Sequence, residues 1–269
     1  MSTLRAHAKI NLALVVGPLR DDGKHEVATL LQRIELHDLV SLEPSAALTV
    51  DGFGADTLVR AALTALAERG GVESSWNATI TKHVPVAAGL GGGSADAAAA
   101  LLLANAELAR PLPLADLHRV ASGIGADVPF FLHEGAQLAT DDGTALRPVS
   151  LPLDYRVLLV LPTGETKAST AEVYRAFDER AGERGFEERR LALLDALDQV
   201  RQPADLARLP GNDLASSPVA GQLLALGALR ADVSGAGPVV YGLFEDDAGA
   251  ERARDEVASA GRTWLTHPV

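Results

Sequence analysis

Cysteine is absent from this sequence of 269 residues, and basic residues are comparatively few. Without cysteine there are no disulfides and no thiolate metal sites, a composition that fits a reducing cytoplasm. The 24 lysines and arginines face 36 aspartates and glutamates, which gives a formal net charge of −12. That balance argues against non-specific nucleic-acid binding, because phosphate backbones are held by basic surfaces. An anionic ligand would have to be attracted locally rather than by the whole protein.

Long apolar runs are also missing from the sequence. No run approaches the ~20 residues that cross a bilayer, and the first residues, MSTLRAHAK, lack a signal-peptide core. We therefore predict no membrane partner and a cytoplasmic location. The length predicts one large or two ordinary domains. The segment Ser-Leu-Pro-Leu at 150–153 is the predicted junction, which gives domains 1–150 and 151–269.

The most distinctive stretch is KHVPVAAGLGGGSADAAAALLL, residues 82–103. An alternating strand at 76–82 precedes it, and helix-favouring Ala and Leu follow Ser94. Glycines let a backbone approach a phosphate closely, and the free N–H groups of a first helical turn then point at it. The pattern therefore predicts a polyphosphate site. Ser94 could cap the helix and offer its hydroxyl to a bound metal.

Three other interpretations of this loop are weaker. A flexible linker rarely stands between an amphipathic strand and so strong a helix former. A Walker loop requires lysine after its last glycine, where this chain has Ser94. A dinucleotide fingerprint that starts at Gly89 would need a glycine at position 94, so that match is partial.

Two further segments carry polar residues in apolar surroundings. Residues 7–16 alternate, which places Lys9 and Asn11 on one face of a first strand, either in a site or in solvent. Asp127 stands among apolar residues and glycines in GADVPFF. A carboxylate that enters a core is costly unless it is paired, which favours a functional role over a helix cap.

Three separated segments together resemble the motifs of the GHMP small-molecule kinases. They are AKINLAL near the start, PVAAGLGGGSADAAAAL in the middle and VSGAGPVVYGLF near the end. The resemblance implies an α+β fold with an N-terminal ribosomal-protein-like βαβ ATP domain and a C-terminal ferredoxin-like domain. It also implies that the protein uses ATP and Mg²⁺.

Within that superfamily, four segments most resemble the kinases of cytidine-diphospho-methylerythritol in the non-mevalonate isoprenoid pathway. These segments are DGKH, LGGGSADAA, GADVPFF and GNDL. The resemblance implies phosphorylation of the 2-hydroxyl of that small molecule by a monomer or weak homodimer. A homoserine or mevalonate kinase of the same superfamily, or a non-catalytic nucleotide-binding module, are the alternatives.

The resemblance also implies roles for individual residues. Lys9 and Asp127 match the catalytic lysine and aspartate, and Ser94 is the candidate Mg²⁺ ligand. The residues expected to bind the ATP phosphates are Pro85, Val86, Ala87, Ala88, Gly89, Leu90, Gly91, Gly92, Gly93, Ser94 and Ala95. The residues expected to bind the substrate are Asn11, Lys24, His25, Tyr174, Gly235, Ala236 and Gly237. From the residues alone, the last three form either an ordinary hairpin turn or a second set of backbone N–H donors.

Two positions depart from the family pattern. Lys24 stands where the family has an aromatic residue before the histidine of DGxH. Tyr174 is therefore expected to provide the main stacking surface for the cytosine base, with hydrogen bonds around His25. Asp56 stands where the family has an asparagine near the start of the first long helix, which leaves the adenine contacts open.

Overall fold

A computed structural model describes residues 1–53, 58–73, 75–164 and 169–269. Asp56, which departs from the family pattern near the start of the first long helix, lies outside these residues. No helix in the described part of the chain is long and apolar enough to span a membrane. The chain divides into two compact units. The first comprises Met1–Ala8, Leu36–Val86 and Gly91–Glu134, and the second comprises Lys9–Glu35, Ala87–Leu90 and Gly135–Val269.

The described residues form strands and helices in mixed order along the chain. The strands are β1 (Ser2–Leu19), β2 (His25–Pro44), β3 (Thr49–Asp51), β4 (Trp76–Thr81), β5 (Ala136–Thr140), β6 (Ala145–Val149), β7 (Arg156–Pro162), β8 (Arg230–Val233), β9 (Val240–Phe244) and β10 (Gly261–Thr266). The α-helices are α1 (Leu58–Gly70), α2 (Gly92–Glu107), α3 (Leu114–Ile124), α4 (Thr170–Glu179), α5 (Phe186–Leu197), α6 (Pro218–Ala225) and α7 (Asp247–Glu256). Short 3-10 helices occupy Pro129–Leu132 and Pro203–Arg208.

The first unit packs helices beside a small group of strands. Strand β4 pairs antiparallel with the end of β2, where Leu39 lies opposite Thr81, and parallel with β3. Helix α1 packs against α2 and α3. Helix α2 is rich in buried alanines such as Ala97 and Ala100, whose small side chains allow close packing. Its N-cap is Gly91 in the left-handed region, so Ser94 lies inside the first turn and the capping role predicted for it is wrong.

The second unit contains an antiparallel sheet in the order β10-β7-β9-β8. Helices α4 to α6 connect β7 to β8, and α7 connects β9 to β10. This is the β-α-β-β-α-β sequence of a ferredoxin-like fold. Apolar side chains on one face of the sheet, including Leu158, Val160 and Phe244, pack with Leu223 of α6 into a buried core.

The remaining strands of the second unit present its polar residues. The start of β2 pairs with β5, where Thr29 lies opposite Ala139, and β5 forms a hairpin with β6. Helix α4 begins with a capping box, because the Ser169 hydroxyl accepts from the Glu172 N–H and the Glu172 carboxylate accepts from the Ser169 N–H. This capping box fixes where α4 begins.

Candidate functional site

Lys9 and Asn11 are almost completely buried, with 3% and 5% of their surfaces exposed. Lys9 Nζ donates a 2.7 Å hydrogen bond to Asn11 Oδ1. Asn11 Nδ2 donates to Thr29 Oγ1 at 2.9 Å, and the Thr29 hydroxyl donates to the Ala13 carbonyl at 2.7 Å. The alternative of a solvated face is therefore wrong for these two residues. A buried ammonium needs bonded partners, and Asn11 supplies one.

Ser234 links Asn11 to the glycine loop. Its Oγ donates to the carbonyl of Gly89 at 2.9 Å, and the backbone N–H of Asn11 donates to the same Oγ at 3.4 Å. In addition, the Lys9 N–H donates to the Leu90 carbonyl at 2.9 Å. The second unit therefore brings together part of each of the three motif segments, which are far apart in sequence.

Gly235 and Gly89 both have backbone conformations that favour glycine. Gly235 has a φ of +58°, and a Cβ there would lie 3.4 Å from Lys9 Nζ, from Asn11 Oδ1 and from the Gly89 carbonyl oxygen. Gly89 has a φ of +82°, and a Cβ there would lie 2.1 Å from the Ser234 carbonyl oxygen. A side chain at Gly89 would combine backbone strain with a clash, whereas a side chain at Gly235 would be strained by the positive φ while its Cβ made ordinary contacts.

Asn212, from the GNDL segment, braces the C-terminal turn. Its Nδ2 donates to the carbonyls of Val233 and Gly235 at 2.9 and 2.7 Å. Inside the turn, the Gly237 N–H donates to the Ser234 carbonyl at 3.0 Å, and Ala236 lies half-buried at the bend between them. This turn is thus braced by Asn212 and by an internal hydrogen bond, and its predicted role in the substrate site stays a prediction.

The glycine loop is divided between the two compact units. Ala87–Leu90 belongs to the second unit, whereas residues 85 and 86 and residues 91–95 belong to the first. Ala87 has a φ of 56° and Gly89 a φ of 82°, so this middle part of the loop is sharply turned. Backbone of this kind exposes N–H groups that neighbouring secondary structure does not occupy.

The last part of the loop enters helix α2. Gly91 is left-handed with a φ of 71°, and Gly92 is so close to the segment after β4 that a Cβ would lie 3.0 Å from Val84 Cγ1. Gly93 has more room, because its nearest neighbour would be Leu58 Cδ1 at 3.4 Å. Ser94 is half-buried in the first turn. The first turn of a helix carries unbonded N–H groups, which suit an anion.

His25 and Tyr174 form a second group of predicted site residues in the same unit. Their rings are 4.8 Å apart and inclined by 31°, and the ring of Phe177 meets His25 edge-on at 6.0 Å. His25 Nε2 lies 2.8 Å from Asp178 Oδ1. Tyr174, Phe177 and Asp178 lie on one face of α4, because positions three and four apart share a face. Phe177 is the buried aromatic residue, with 1% exposure, and Tyr174 is partly exposed.

Lys24 is paired with the β5–β6 hairpin. Its Nζ donates to Asp142 Oδ2 at 2.6 Å, and the Thr144 hydroxyl donates to the other carboxylate oxygen at 2.6 Å. Partial burial alone would raise the pKa of Asp142, but the hydrogen bonds from Lys24 and Thr144 lower it to about 2. The Lys24 ammonium therefore has a protein carboxylate as its partner.

Asp127 belongs to the first unit. It lies in the turn between α3 and the 3-10 helix Pro129–Leu132, and it is partly buried. Phe130 and Phe131 behind it are buried, with their rings 4.9 Å apart in an edge-on contact. A catalytic role for Asp127 stays a prediction.

Four residues of these groups were missed by the sequence reasoning. Thr29, Ser234, Asn212 and Asp178 each bond to a predicted site residue or to the turn beside it. Asn212 and Ser234 stand inside segments that carried the family resemblance, GNDL and VSGAGP, so their positions were signalled. Thr29 and Asp178 stand in ordinary strand and helix patterns without such a signal.

Comparison with known families gives two matches. Residues 57–135 match the N-terminal domain of the GHMP kinases, and residues 216–263 match the C-terminal domain of the GHMP kinases. Together with the two groups of elements described above, they confirm the predicted α+β, two-domain GHMP kinase fold.

Curated relatives match along nearly the whole chain. The 4-diphosphocytidyl-2-C-methyl-D-erythritol kinase of Salinispora arenicola is 38% identical over 281 residues, which cover 95% of this chain and 87% of the relative. The enzyme of the same name from Pelotomaculum thermopropionicum is 39% identical over 279 residues, with 97% and 94% covered.

Solved structures give a consistent result. A crystal structure of 4-(cytidine 5'-diphospho)-2C-methyl-D-erythritol kinase superposes with a TM-score of 0.79 at 31% identity, and 99% of each chain is covered. The mevalonate kinase of Methanococcus jannaschii superposes with a TM-score of 0.78 at 12% identity, covering 100% of this chain and 98% of that one. At that identity the second likeness concerns the fold alone.

Proposed function

We propose a function for a chain that belongs to the 4-diphosphocytidyl-2-C-methyl-D-erythritol kinases, a family within the GHMP kinases. The protein transfers the terminal phosphate of ATP to the 2-hydroxyl of 4-diphosphocytidyl-2-C-methyl-D-erythritol, a step of non-mevalonate isoprenoid synthesis. The observation that carries the proposal is the buried Lys9–Asn11 pair, which Ser234 connects to Gly89 of the predicted phosphate loop.

ATP phosphates would bind along residues 85–95. The left-handed residues Ala87, Gly89 and Gly91 turn the backbone, and the first turn of α2 adds unbonded N–H groups and the positive end of the helix dipole. These local donors compensate for the net charge of −12, which opposes anion binding at long range.

The residues of the first helical turn fit a Mg²⁺ ion that arrives with ATP. Ser94 offers a neutral hydroxyl oxygen from a half-buried position. Mg²⁺ prefers oxygen ligands and keeps several waters, so that one or two protein ligands beside the phosphates are enough. When bound, the ion neutralises the charge that develops on the phosphate oxygens.

Lys9 and Asp127 supply the chemistry at the hydroxyl. The oxygen of the substrate 2-hydroxyl bonds to the γ-phosphorus of ATP, and the Asp127 carboxylate accepts the proton that this hydroxyl loses. The bond between that phosphorus and the β–γ bridging oxygen breaks, and ADP leaves with the bond electrons. The Lys9 ammonium, held by Asn11, stabilises the developing oxyanion and lowers the pKa of the hydroxyl.

The substrate would occupy the groups around His25 and the C-terminal turn. Tyr174 stacks on the cytosine base, His25 and Asn11 hydrogen-bond the substrate, and the turn of Gly235, Ala236 and Gly237 lines the pocket.

Residues 1–150 and 151–269 are the proposed domains, and the two family matches fall on either side of that boundary. The cytoplasm, where ATP is available, is the proposed location, and a monomer or weak homodimer the proposed state.

ADP release with a panel of alcohols tests the proposal. The purified protein would be assayed with MgATP and either 4-diphosphocytidyl-2-C-methyl-D-erythritol, mevalonate or homoserine, with a no-alcohol control. We expect ADP release only with the cytidine substrate. Faster turnover of mevalonate or homoserine would assign the chain to another reaction of the superfamily. ATP binding without ADP release from any alcohol would instead indicate a nucleotide-binding module.

A further inference from the structure

Three charged side chains are buried together in the first unit. Lys82 Nζ donates to Asp38 Oδ2 at 2.5 Å and to Asp96 Oδ2 at 2.7 Å. The carboxylate side chains are both 0% exposed, and the Lys82 side chain is 16% exposed. The ring of Phe53 lies 5.7 Å from the same ammonium. One cation and two anions are thus removed from water at a single point.

These residues stand at the two ends of the glycine loop. Lys82 is the last residue of the strand pattern before the loop, and Asp96 is in the first turns of α2 after it. Asp38 Oδ1 accepts from the backbone N–H groups of His83 at 2.5 Å and Val84 at 2.8 Å, the residues that lead into the loop. Lys82 therefore connects Asp38, which holds the residues that lead into the loop, with Asp96, which follows the loop in α2.

Backbone packing at the exit agrees with this arrangement. A Cβ on Gly92 would lie 3.0 Å from Val84 Cγ1 and 3.4 Å from Lys82 Nζ. The first residue of α2 thus lies directly against the residues that Asp38 holds. A shift of Val84 would therefore displace the start of the helix, because protein interiors are close-packed and contain little empty space.

Stability alone is a poor explanation for this cluster. Desolvating charges is costly, and apolar residues of similar volume are often as good or better at stabilising a core. Burial by itself would lower the pKa of Lys82, but Asp96 and Asp38 outweigh that effect and raise it, so the ammonium stays charged. Directional bonds to two fixed carboxylates set positions in a way that apolar packing does not.

We propose that Lys82, Asp38 and Asp96 are positioning residues that hold the two ends of the glycine loop in the geometry that ATP phosphates require. The inference rests on the proposed function, and we call this cluster the loop clamp. A loop with several left-handed residues loses much conformational freedom when it orders around a ligand. The loop clamp orders the loop before ATP binds. Less conformational entropy is then lost on binding, and ATP affinity is higher.

The variant Asp96→Asn tests the loop clamp, because it leaves Lys82 and Asp38 as a neutral pair and should fold. MgATP binding would be measured by isothermal titration calorimetry, and steady-state constants would be measured for both substrates. We expect the Kd and KM for ATP to rise about tenfold or more, while kcat at saturating ATP changes by less than about threefold. The KM for the cytidine substrate should stay unchanged.

Two further variants make the result decisive. The double variant Lys82→Met, Asp96→Asn removes one charge of each sign, leaves Asp38 on its two backbone N–H groups, and should lose ATP affinity similarly. Asp205→Asn is the matched control. Asp205 is also a buried aspartate that accepts from backbone N–H groups, at Arg201 and Gln202, but it lies in the first turn of the 3-10 helix Pro203–Arg208 in the second unit. It should lower the melting temperature and leave the Kd for ATP unchanged.

The outcomes separate the two proposals. Folded Asp96→Asn and double variants that bind ATP within about twofold of the wild type would overturn the loop clamp and leave the kinase function standing. An equal loss of ATP affinity in Asp205→Asn would also overturn it, because the effect would then follow general destabilisation. A wild-type protein that does not bind MgATP would overturn both.

Discussion

The Lys9 ammonium and the Asn11 side-chain carbonyl lie 2.7 Å apart on the same face of β1. Residues two apart share a face of a strand, so the contact itself is local. The orientation of the Asn11 amide is not local, because its Nδ2 donates to Thr29 Oγ1 on β2. A reversed amide would point two N–H donors at the ammonium. The hydroxyl of Thr29 therefore determines which atom Lys9 meets.

Replacing Thr29 with valine should lower turnover. Valine has nearly the same shape but no acceptor for Asn11 Nδ2, so the amide and the Lys9 ammonium lose their fixed positions. We expect kcat to fall about 10- to 100-fold, with a smaller change in the KM for ATP. Thr29→Ser retains the hydroxyl and should restore most of kcat. Unchanged kcat in Thr29→Val, together with a lower melting temperature, would leave Thr29 a purely structural role.

The Asp127→Asn substitution should remove the proposed base while preserving the fold and ATP affinity. General-base catalysis contributes ~10²–10⁴-fold in rate, so kcat should fall by about that factor. Lys9→Met should have a similar effect, and the double variant should be less than additive if the two residues act as one unit. Calorimetric ATP binding and circular dichroism provide the controls. Near-normal turnover by Asp127→Asn would refute its assigned role.

A methyl group at Gly93 should weaken ATP binding without unfolding the protein. Its Cβ would meet only Leu58 Cδ1, at 3.4 Å, and its φ is not positive. Alanine favours a helix over glycine by about 1 kcal/mol, so the melting temperature should hold or rise. The KM for ATP should rise about tenfold, because the methyl group blocks close approach of a phosphate. Gly123→Ala in α3, where a Cβ meets nothing within 4 Å, is the matched control for helix propensity. Equal KM values for ATP in the two variants would place the phosphates elsewhere.

Tyr174 and Phe177 should separate substrate binding from core packing. Tyr174 is partly exposed beside His25, so Tyr174→Ala should raise the KM for the cytidine substrate about tenfold or more, since base stacking contributes roughly 1–3 kcal/mol. The KM for ATP should barely change. Phe177 is buried with Leu14 and Val16, so Phe177→Ala should cost about 3–5 kcal/mol of stability. If Tyr174→Ala loses stability to that extent with unchanged kinetics, Tyr174 is a core residue.

Lys24→Tyr should change the acid response of the protein. The pKa of Asp142 is lowered from 3.8 to about 2, so its ionised form contributes stability above pH 3.8 that is lost as the pH falls through about 2. Removing the Lys24 ammonium leaves only the Thr144 hydrogen bonds, and the pKa of Asp142 should rise. Less stability should then be lost over that window. Carboxyl NMR titration and urea unfolding at several pH values measure both effects. The aromatic ring should be tolerated or improve substrate binding, and a pKa of Asp142 that does not move would contradict the pairing.

Features that depend on near neighbours could be predicted from the sequence. The shared face of Lys9 and Asn11 follows from strand alternation, and the capping box of Ser169 and Glu172 follows from their spacing. The glycine loop before α2 was recognisable for the same reason. Three motifs in the expected order supported the family, whose fold then supplied the long-range arrangement.

Contacts between distant residues could not be predicted. Asp38 is one of four acidic residues in the mixed-polarity strand β2, and no local pattern indicates its complete burial against Lys82, which is 44 positions away. Asn212 reaches the turn at Gly235 across 23 positions. A side-chain hydrogen bond needs accurate three-dimensional placement of both groups, and composition or periodicity carries no information about it.

The hydroxyl of Ser234 reaches the Lys9–Asn11 group from the C-terminal half of the chain. A fragment of residues 1–150 would keep Lys9, Asn11 and Gly89 but lack the hydroxyl that bonds to both the Asn11 N–H and the Gly89 carbonyl. Neither half of the chain could then assemble this group alone. The hydrogen bonds around Gly89 therefore depend on residues from both halves of the chain meeting in one compact unit.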